Sequence, residues 1–280
     1  MTVLELRQRF RKDLAPLYGQ NEIDDIFKRA TAFLFGWSSL KVGLAPNDIL
    51  TDEEQKSALN ILAQLKAAVP LQYVLGVSHF RHLSLNVDPS VLIPRPETEE
   101  LVQWVLDDHS EDECHVMDLC TGSGAIALAL KQERPNWTVS ALEVSAAALE
   151  VAKGNATKND LDIAWHHADL LKDTIDFSTV DIVVSNPPYV LPSEKKQMHA
   201  NVLAHEPPLA LFVPEEDPLL FYRTIIEQVK RSSSKNIPIY FEINPLAVEA
   251  MNVLNVQHGG KASQMKKDLF GKKRFLKFEQ

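Results

Sequence analysis

The chain has 280 residues, a size that accommodates one catalytic domain and a smaller companion. Apolar residues make up 45% and charged residues 24%, which excludes a disordered or low-complexity protein. Lys and Arg number 29 against 38 Asp and Glu, a net charge of −9 that disfavours nucleic acid as the main ligand. The two cysteines, Cys114 and Cys120, are too few to frame a secreted fold. The charged stretch from Met1 to Phe10 lacks a signal core, and no apolar run has the length of a membrane span. The expected setting is cytoplasmic, with no membrane association.

Residues 1–76 predict a small helical domain. Leu4, Leu6, Phe10, Leu14 and Leu17 recur at roughly helical spacing, followed by Ile23, Ile26, Phe27, Ala30, Phe33 and Leu34. Asn21 is the expected cap of this second helix, and Gly36 its end. Thr51 followed by Glu54 is a capping-box pattern, with Leu59, Leu62 and Leu65 behind it and Pro70 as a stop. Such a small core suggests a partner-docking role. Residues 77–93 read as a hairpin linker, in which Phe80, Leu83, Leu85 and Val87 alternate and Asn86 and Asp88-Pro89 are turn candidates.

From Pro94 to residue 280 helices and strands alternate, and Pro96 suits a helix start. Strands are expected at His115–Leu119, Thr138–Glu143, Ile163–His166, Val180–Ser185 and Ile237–Ile243. Helices fit at 124–134, 145–157, 217–231 and near 246–256. The rhythm predicts an α/β fold with a doubly wound, mostly parallel sheet. The end, around Gly271, reads as an antiparallel edge hairpin, its lysines from 266 to 277 lying on edge strands. Residues 190–216, with Pro192, Pro207, Pro208 and Pro214, form an unusually long connection, read as a cover over a substrate site.

Two places carry chemistry. Asp118-Leu-Cys-Thr-Gly122-Ser-Gly124 lies between a strand and a helix, where glycines permit a tight turn and a close ligand. Glu143 ends the next strand, nineteen residues after Gly124, and an acid there can accept hydrogen bonds from both ribose hydroxyls. A dinucleotide and S-adenosylmethionine both suit this pattern. The absence of a P-loop lysine argues against a nucleoside triphosphate. Asp169, ending the following strand, reads equally as a ligand neighbour or a turn cap.

The second place is Asn186-Pro187-Pro188-Tyr189, directly after a strand. An amide or exocyclic amine nitrogen is planar and its lone pair is delocalised. To attack a methyl group, its N–H bonds must be held and polarised. The Asn186 oxygen can accept one and the Pro187 carbonyl the other, aimed by consecutive prolines. Tyr189 offers a flat face. The reaction expected there would be direct displacement at a sulfonium methyl, needing no metal and no protein nucleophile. His79 and His82 lack the neighbours of a metal site.

With these residues in place, the chain resembles the peptide chain release factor glutamine methyltransferases, the PrmC/HemK family. The similarity spans nearly the whole chain. It rests on Leu71-Gln-Tyr-Val-Leu-Gly76, Leu92-Ile-Pro-Arg-Pro-Glu-Thr-Glu99, Asp118 to Leu128, Val183 to Tyr189 and Glu206-Pro-Pro-Leu-Ala-Leu211. The Asn-Pro-Pro-Tyr motif is shared with nucleic-acid methyltransferases, so the Pro-Arg-Pro-Glu segment discriminates more. The resemblance implies a class I methyltransferase domain behind a helical N-terminal domain that helps hold the substrate. It implies methyl transfer from S-adenosyl-L-methionine, leaving S-adenosyl-L-homocysteine, to N5 of the glutamine in the Gly-Gly-Gln motif of release factors. By family pattern the cofactor site comprises Cys120, Thr121, Gly122, Ser123, Gly124, Glu143, Leu170 and Asn186. The catalytic residues are Asn186, Pro187 and Tyr189, and the substrate clamp runs from Asn186 through Pro188 to Tyr189.

Three departures stand out. Cys120 replaces the first loop glycine, so the backbone there is expected to avoid a glycine-only conformation. Glu143 replaces the usual ribose Asp, and Pro214-Glu-Glu-Asp-Pro218 replaces a glycine-rich stretch. The alternative readings are an RNA or DNA base N-methyltransferase, a ribosomal-protein glutamine methyltransferase and a non-catalytic nucleoside sensor.

Overall fold

In a computed structural model describing residues 1–110, 113–232, 235–260 and 264–279, strand alternation builds the sheet's two faces. The strands are β1 Val77–Phe80, β2 Leu83–Asn86, β3 His115–Leu119, β4 Thr138–Glu143, β5 Ala164–His167, β6 Ile182–Ser185, β7 Ile239–Glu242, β8 Gln264–Lys267 and β9 Lys273–Phe278. The last seven form one sheet in the order β5-β4-β3-β6-β7-β9-β8. Neighbours from β5 to β7 pair in parallel, and β9 is antiparallel to both β7 and β8.

Side chains one residue apart point to opposite faces. Val116, Val184, Tyr240 and Phe275 pack on one face with the helices Pro96–Asp108 and Ala125–Glu133. Met117, Val183, Ile239 and Phe241 pack on the other with the helices Leu220–Ser232 and Val248–Gln257. This is the expected doubly wound architecture, with strand limits shifted by one or two residues. The chain steps from β3 to β4 on one side and returns to β6 on the other. A crevice opens at such a reversal, beyond the carboxyl ends of the strands.

The chain divides into two compact units, Met1–Gly76 with His199–His205, and Val77–Met198 with Glu206–Gln280. In the first unit Leu6, Phe10 and Leu14 share a core with Ile23, Phe27, Ile61 and Leu65, whereas Leu4, Leu17 and Phe33, expected on the same apolar stripes, are exposed. The Phe10 and Phe27 rings meet edge to face at 5.2 Å. Thr51 and Glu54 form the full capping box, and Thr2 with Glu5 forms another. The second helix begins at Gln20 after Gly19, not at an Asn21 cap, and ends at the left-handed Gly36. Among the described residues no helix is long and apolar enough to cross a membrane.

Three local expectations need correction. The β1–β2 turn falls at Arg81-His82, where no turn residue marks it, with Arg81 left-handed at φ 50°. Tertiary bonds hold it: the Arg81 N–H donates to Glu99 and its guanidinium to Glu133 at 3.1 Å. Asp88 does make the later turn, accepting the Ser90 N–H. Residues 190–216 are a series of short helices, Pro192–Gln197, Ala200–His205 and Pro208–Leu211, with a bridge from Val190 to Phe212. Finally, within the terminal hairpin β9 is interior and β8 alone lies at an edge, so Lys277 is paired with Asp108 at 3.0 Å instead of facing solvent.

Candidate active site

β3 and β6 are adjacent, with Leu119 opposite Ser185, so the segments after them leave the sheet side by side. The register thus brings Cys120–Gly124 next to Asn186–Tyr189. A cleft of about 910 Å³ runs between them. Cys120, Thr121, Gly122 and Ser123 line it, with Glu143, Asn186 and Pro188. Ile126, Phe221 and Leu209 supply apolar surface. A second hollow, of about 330 Å³, is lined by Pro187, Tyr189, Val190 and Leu211. Asn186 and Arg95 border both.

The loop after β3 is held by backbone geometry and two carboxylates. Cys120, Gly122 and Gly124 all have positive φ, at 61°, 57° and 83°. Cys120 therefore takes a left-handed conformation, one that glycine favours but that is not restricted to glycine. Its φ lies in the narrow left-handed well open to L-residues, at a cost of roughly 1–2 kcal/mol. Gly124 is more constrained, because a Cβ there would come within 3.2 Å of Trp165 and Leu128. Glu143 latches the loop: Oε2 accepts the Gly122 N–H and Oε1 the Ser145 N–H, each at 2.9 Å. Asp118 lies fully buried beneath. Its Oδ2 accepts from the Thr121 hydroxyl and the Ala127 N–H, while among the described residues Oδ1 has no donor. Burial raises its pKa to about 7, against the pull of those hydrogen bonds. Burial likewise pushes the Cys120 thiol well up, and the Glu143 and Asp118 charges add to it.

The segment after β6 is held from behind. Asn186 Nδ2 donates to Thr98 Oγ1 at 3.1 Å, and Thr98 Oγ1 donates to Glu242 Oε2 at 2.7 Å. The Tyr189 hydroxyl donates to Glu242 Oε1 at 3.0 Å. Burial raises the pKa of Glu242 and, well above its ordinary value, that of Tyr189, so the phenol stays protonated. The Tyr189 and Val190 N–H groups both donate to the Leu211 carbonyl, tying the segment to the short helix Pro208–Leu211. Glu206, 3% exposed, receives Arg95 at 2.6 Å and joins the same helix to the Pro94–Pro96 corner.

Two expected cofactor residues, Gly124 and Leu170, line neither cavity. Leu170 is in the core, its carbonyl accepting from Gln228. Asp169 makes a turn, with Oδ1 accepting the Leu171 N–H and Oδ2 pairing with Lys172. Sequence reasoning missed Glu242, and it quoted Glu206 within a family segment without assigning it a role. A carboxylate in the apolar strand Ile-Tyr-Phe-Glu-Ile was the available clue, since unpaired charges are rarely buried.

Residues 98–211 match the Methyltransferase small domain and residues 5–76 the PrmC N-terminal domain. The chain is 38% identical to a release factor glutamine methyltransferase of Flavobacterium psychrophilum, over 99% of both chains. It is 36% identical to one of Bacteroides thetaiotaomicron, over 95% of this chain and 96% of that one. This chain belongs to the release factor glutamine methyltransferase family. A solved Pyrococcus furiosus methyltransferase shares the fold at a TM-score of 0.53 and 16% identity, covering 82% of this chain and 98% of that one.

The enzyme is thus an S-adenosylmethionine-dependent methyltransferase, and the cleft fits that cofactor. Among the described residues Glu143 is the one carboxylate on its lining, and each of its oxygens has accepted a single N–H, leaving lone pairs for ribose hydroxyls. Gly122 has open space where a side chain would stand.

Proposed function

We propose that this methyltransferase modifies the side-chain amide N5 of the glutamine in the Gly-Gly-Gln motif of peptide chain release factors. Cys120 to Gly124 and Glu143 would hold the cofactor, and Asn186 to Tyr189 the glutamine. The observation that carries the reading is the place of Asn186, which borders both the cofactor cleft and the smaller hollow. Its amino group is engaged by Thr98, and among the described residues its Oδ1 has no partner. The Pro187 carbonyl also accepts no hydrogen bond there. Two unengaged acceptors at one spot suit a primary amide, which has two N–H groups to give.

Bound S-adenosylmethionine supplies an electrophilic methyl group on a sulfonium, which departs as a neutral thioether. The protein's part is to prepare the nitrogen. Oδ1 of Asn186 and the carbonyl of Pro187 hold the two N–H groups and draw positive charge onto the nitrogen as it develops. Holding nitrogen and methyl in line removes much of the entropic barrier. The Tyr189 hydroxyl is turned to Glu242, so its ring, not its oxygen, is offered to the amide. As the N–C bond forms and the C–S bond breaks, one amide proton becomes acidic and leaves to solvent. Residues 1–76 would help hold the protein substrate.

The test is transfer of labelled methyl from S-adenosylmethionine to intact release factor, to a factor with the motif glutamine changed to alanine, and to protein-free RNA. Label is expected in the intact factor only. Label in RNA alone would overturn the reading in favour of a base methyltransferase.

A further inference from the structure

An amide carries its oxygen and its amino group on nearly the same shape, so Asn186 fits its place in either sense. Only one sense serves the clamp. With the oxygen forward, the substrate N–H is held. With the amino group forward, two donors face each other. Something must fix the choice, and Pro187 and Pro188, which hold the backbone, leave the side-chain torsion free.

Strand alternation supplies the fixing group. Glu242 follows Phe241 in β7 and so shares the face of Tyr240, whose ring meets Trp104 of the helix Pro96–Asp108 at 5.4 Å. The first turn of that helix carries Thr98. Glu242 is 1% exposed and Thr98 5%, so both lie behind the cleft wall. Each Glu242 oxygen meets a hydroxyl, Thr98 on Oε2 and Tyr189 on Oε1. A carboxylate can only accept, so both hydroxyls must donate toward it. Thr98 has then spent its proton and can only accept from Asn186. Asn186 must turn Nδ2 inward, as observed at 3.1 Å, and Oδ1 outward. The negative charge sets the direction of every donor in the line. A buried charge is a weak source of stability, so its presence here calls for another role.

We propose that Glu242, acting through Thr98, is a positioning residue that fixes the Asn186 amide with its oxygen toward the substrate nitrogen. The inference rests on the clamp reading above. Through its second oxygen Glu242 also fixes Tyr189, so one carboxylate aligns both side chains of the clamp.

The chain of donors can be reversed without changing its shape. In Glu242→Gln the new amino group can donate to Thr98, which then turns its own proton to Asn186 and draws Oδ1 inward. Thr98→Val keeps the volume and removes the link, and Thr98→Ser keeps the link. The groups facing Glu242 are Glu97 from the helix Pro96–Asp108, Tyr189 after β6, Tyr222 from the helix Leu220–Ser232 and Arg274 from β9. Of these, Glu97 and Arg274 are the charged neighbours, opposite in sign. Protonating Glu242 would make it a donor and blur the direction, so activity should fall on the acid side.

The experiment measures kcat and KM with intact release factor, cofactor Kd by calorimetry, and the pH profile, for Asn186→Ala, Thr98→Val, Thr98→Ser and Glu242→Gln. Thr98→Val and Glu242→Gln are expected to lower kcat about 10- to 100-fold, the loss typical when a group that orients a functional side chain is removed. Their cofactor Kd should stay within about threefold, Thr98→Ser should return kcat to near the parent, and the acid limb should vanish in Glu242→Gln. If Thr98→Val does not fold, Glu242→Gln, of the same size, carries the test. Loss of turnover in Asn186→Ala with parental kcat in Thr98→Val and Glu242→Gln would overturn the positioning role and leave the clamp standing. Full turnover in Asn186→Ala would overturn the clamp itself. Equal losses of kcat and cofactor affinity with no rescue by serine would show a merely structural role and overturn the proposal.

Discussion

The two sides of the cleft are each backed by a buried carboxylate, and the two are treated differently. Asp118, under the cofactor loop, accepts two hydrogen bonds on Oδ2 and, among the described residues, none on Oδ1. Glu242, under the clamp, accepts one hydroxyl on each oxygen. The bonds around Asp118 come from within nine residues in sequence, while those to Glu242 come from 144 and 53 residues away. The cofactor side is therefore a local device, fixed by a strand, a turn and the next strand. The clamp is a tertiary device, fixed only once the helix Pro96–Asp108, β6 and β7 have assembled.

This difference predicts opposite kinetic splits, the largest effects expected. Asn186→Ala should lower kcat by about 10²- to 10³-fold, the usual loss for a donor or acceptor meeting developing charge. Its cofactor Kd should change little. Glu143→Gln should do the reverse. Hydrogen bonds to a charged group contribute about 1.5–3 kcal/mol, so cofactor Kd should rise about 10- to 100-fold with kcat at saturation within a few-fold. Calorimetry and steady-state rates on the two variants decide it. If both variants lose kcat and affinity alike, the two sides are not separable.

The same division explains what was legible in the sequence. The loop from Asp118 to Gly124 and the acid at Glu143 could be read because their spacing along the chain is their geometry. The sheet could be read from apolar runs such as Val180 to Ser185. The Arg81-His82 turn was not legible, because bonds from Glu99 and Glu133 hold it in place of a turn residue. Thr98 and Glu242 were not legible for the same reason. Nothing in the sequence states that residues 144 apart share a proton. Leu170 shows the converse: a position taken from a family pattern points into the core here.

A middle-sized effect is expected from Asp118. Its folded pKa, about 7, lies above the 3.8 of the free group. Below the lower value both folded and unfolded chains hold the proton. Between the two, the unfolded chain releases it while the folded chain keeps it, so stability falls as pH rises through this window. Above about 7 the full penalty of a buried charge is present. Asp118→Asn keeps the shape and removes the charge. Its stability relative to the parent should rise between pH 3.8 and about 7 and then level off, read by urea unfolding at several pH values. A relative stability that does not change with pH would mean that Asp118 is not the titrating group. The comparison with Glu242, whose pKa burial also raises, would then rest on the pattern of bonds alone.

The smallest effect is expected at Cys120, where the cofactor loop itself departs from its own logic. The left-handed backbone at φ 61° costs an L-residue roughly 1–2 kcal/mol. Glycine would relieve that strain but would bring about 0.5–1 kcal/mol of extra chain entropy in the unfolded state. It would also remove a thiol that packs against Tyr189's side of the core. These terms nearly cancel, so Cys120→Gly should change stability by no more than about 1 kcal/mol. Its cofactor Kd should hold, because Gly122 and Glu143 keep the loop in place. The value of the measurement is in its sign. A clear gain would mean that the conformation, shared with Gly122 and Gly124, governs this side of the cleft. A loss beyond about 2 kcal/mol would mean that the Cys120 side chain is a packing element. The cofactor loop would then depend on tertiary contacts in the way the clamp does, and the contrast between the two sides would narrow.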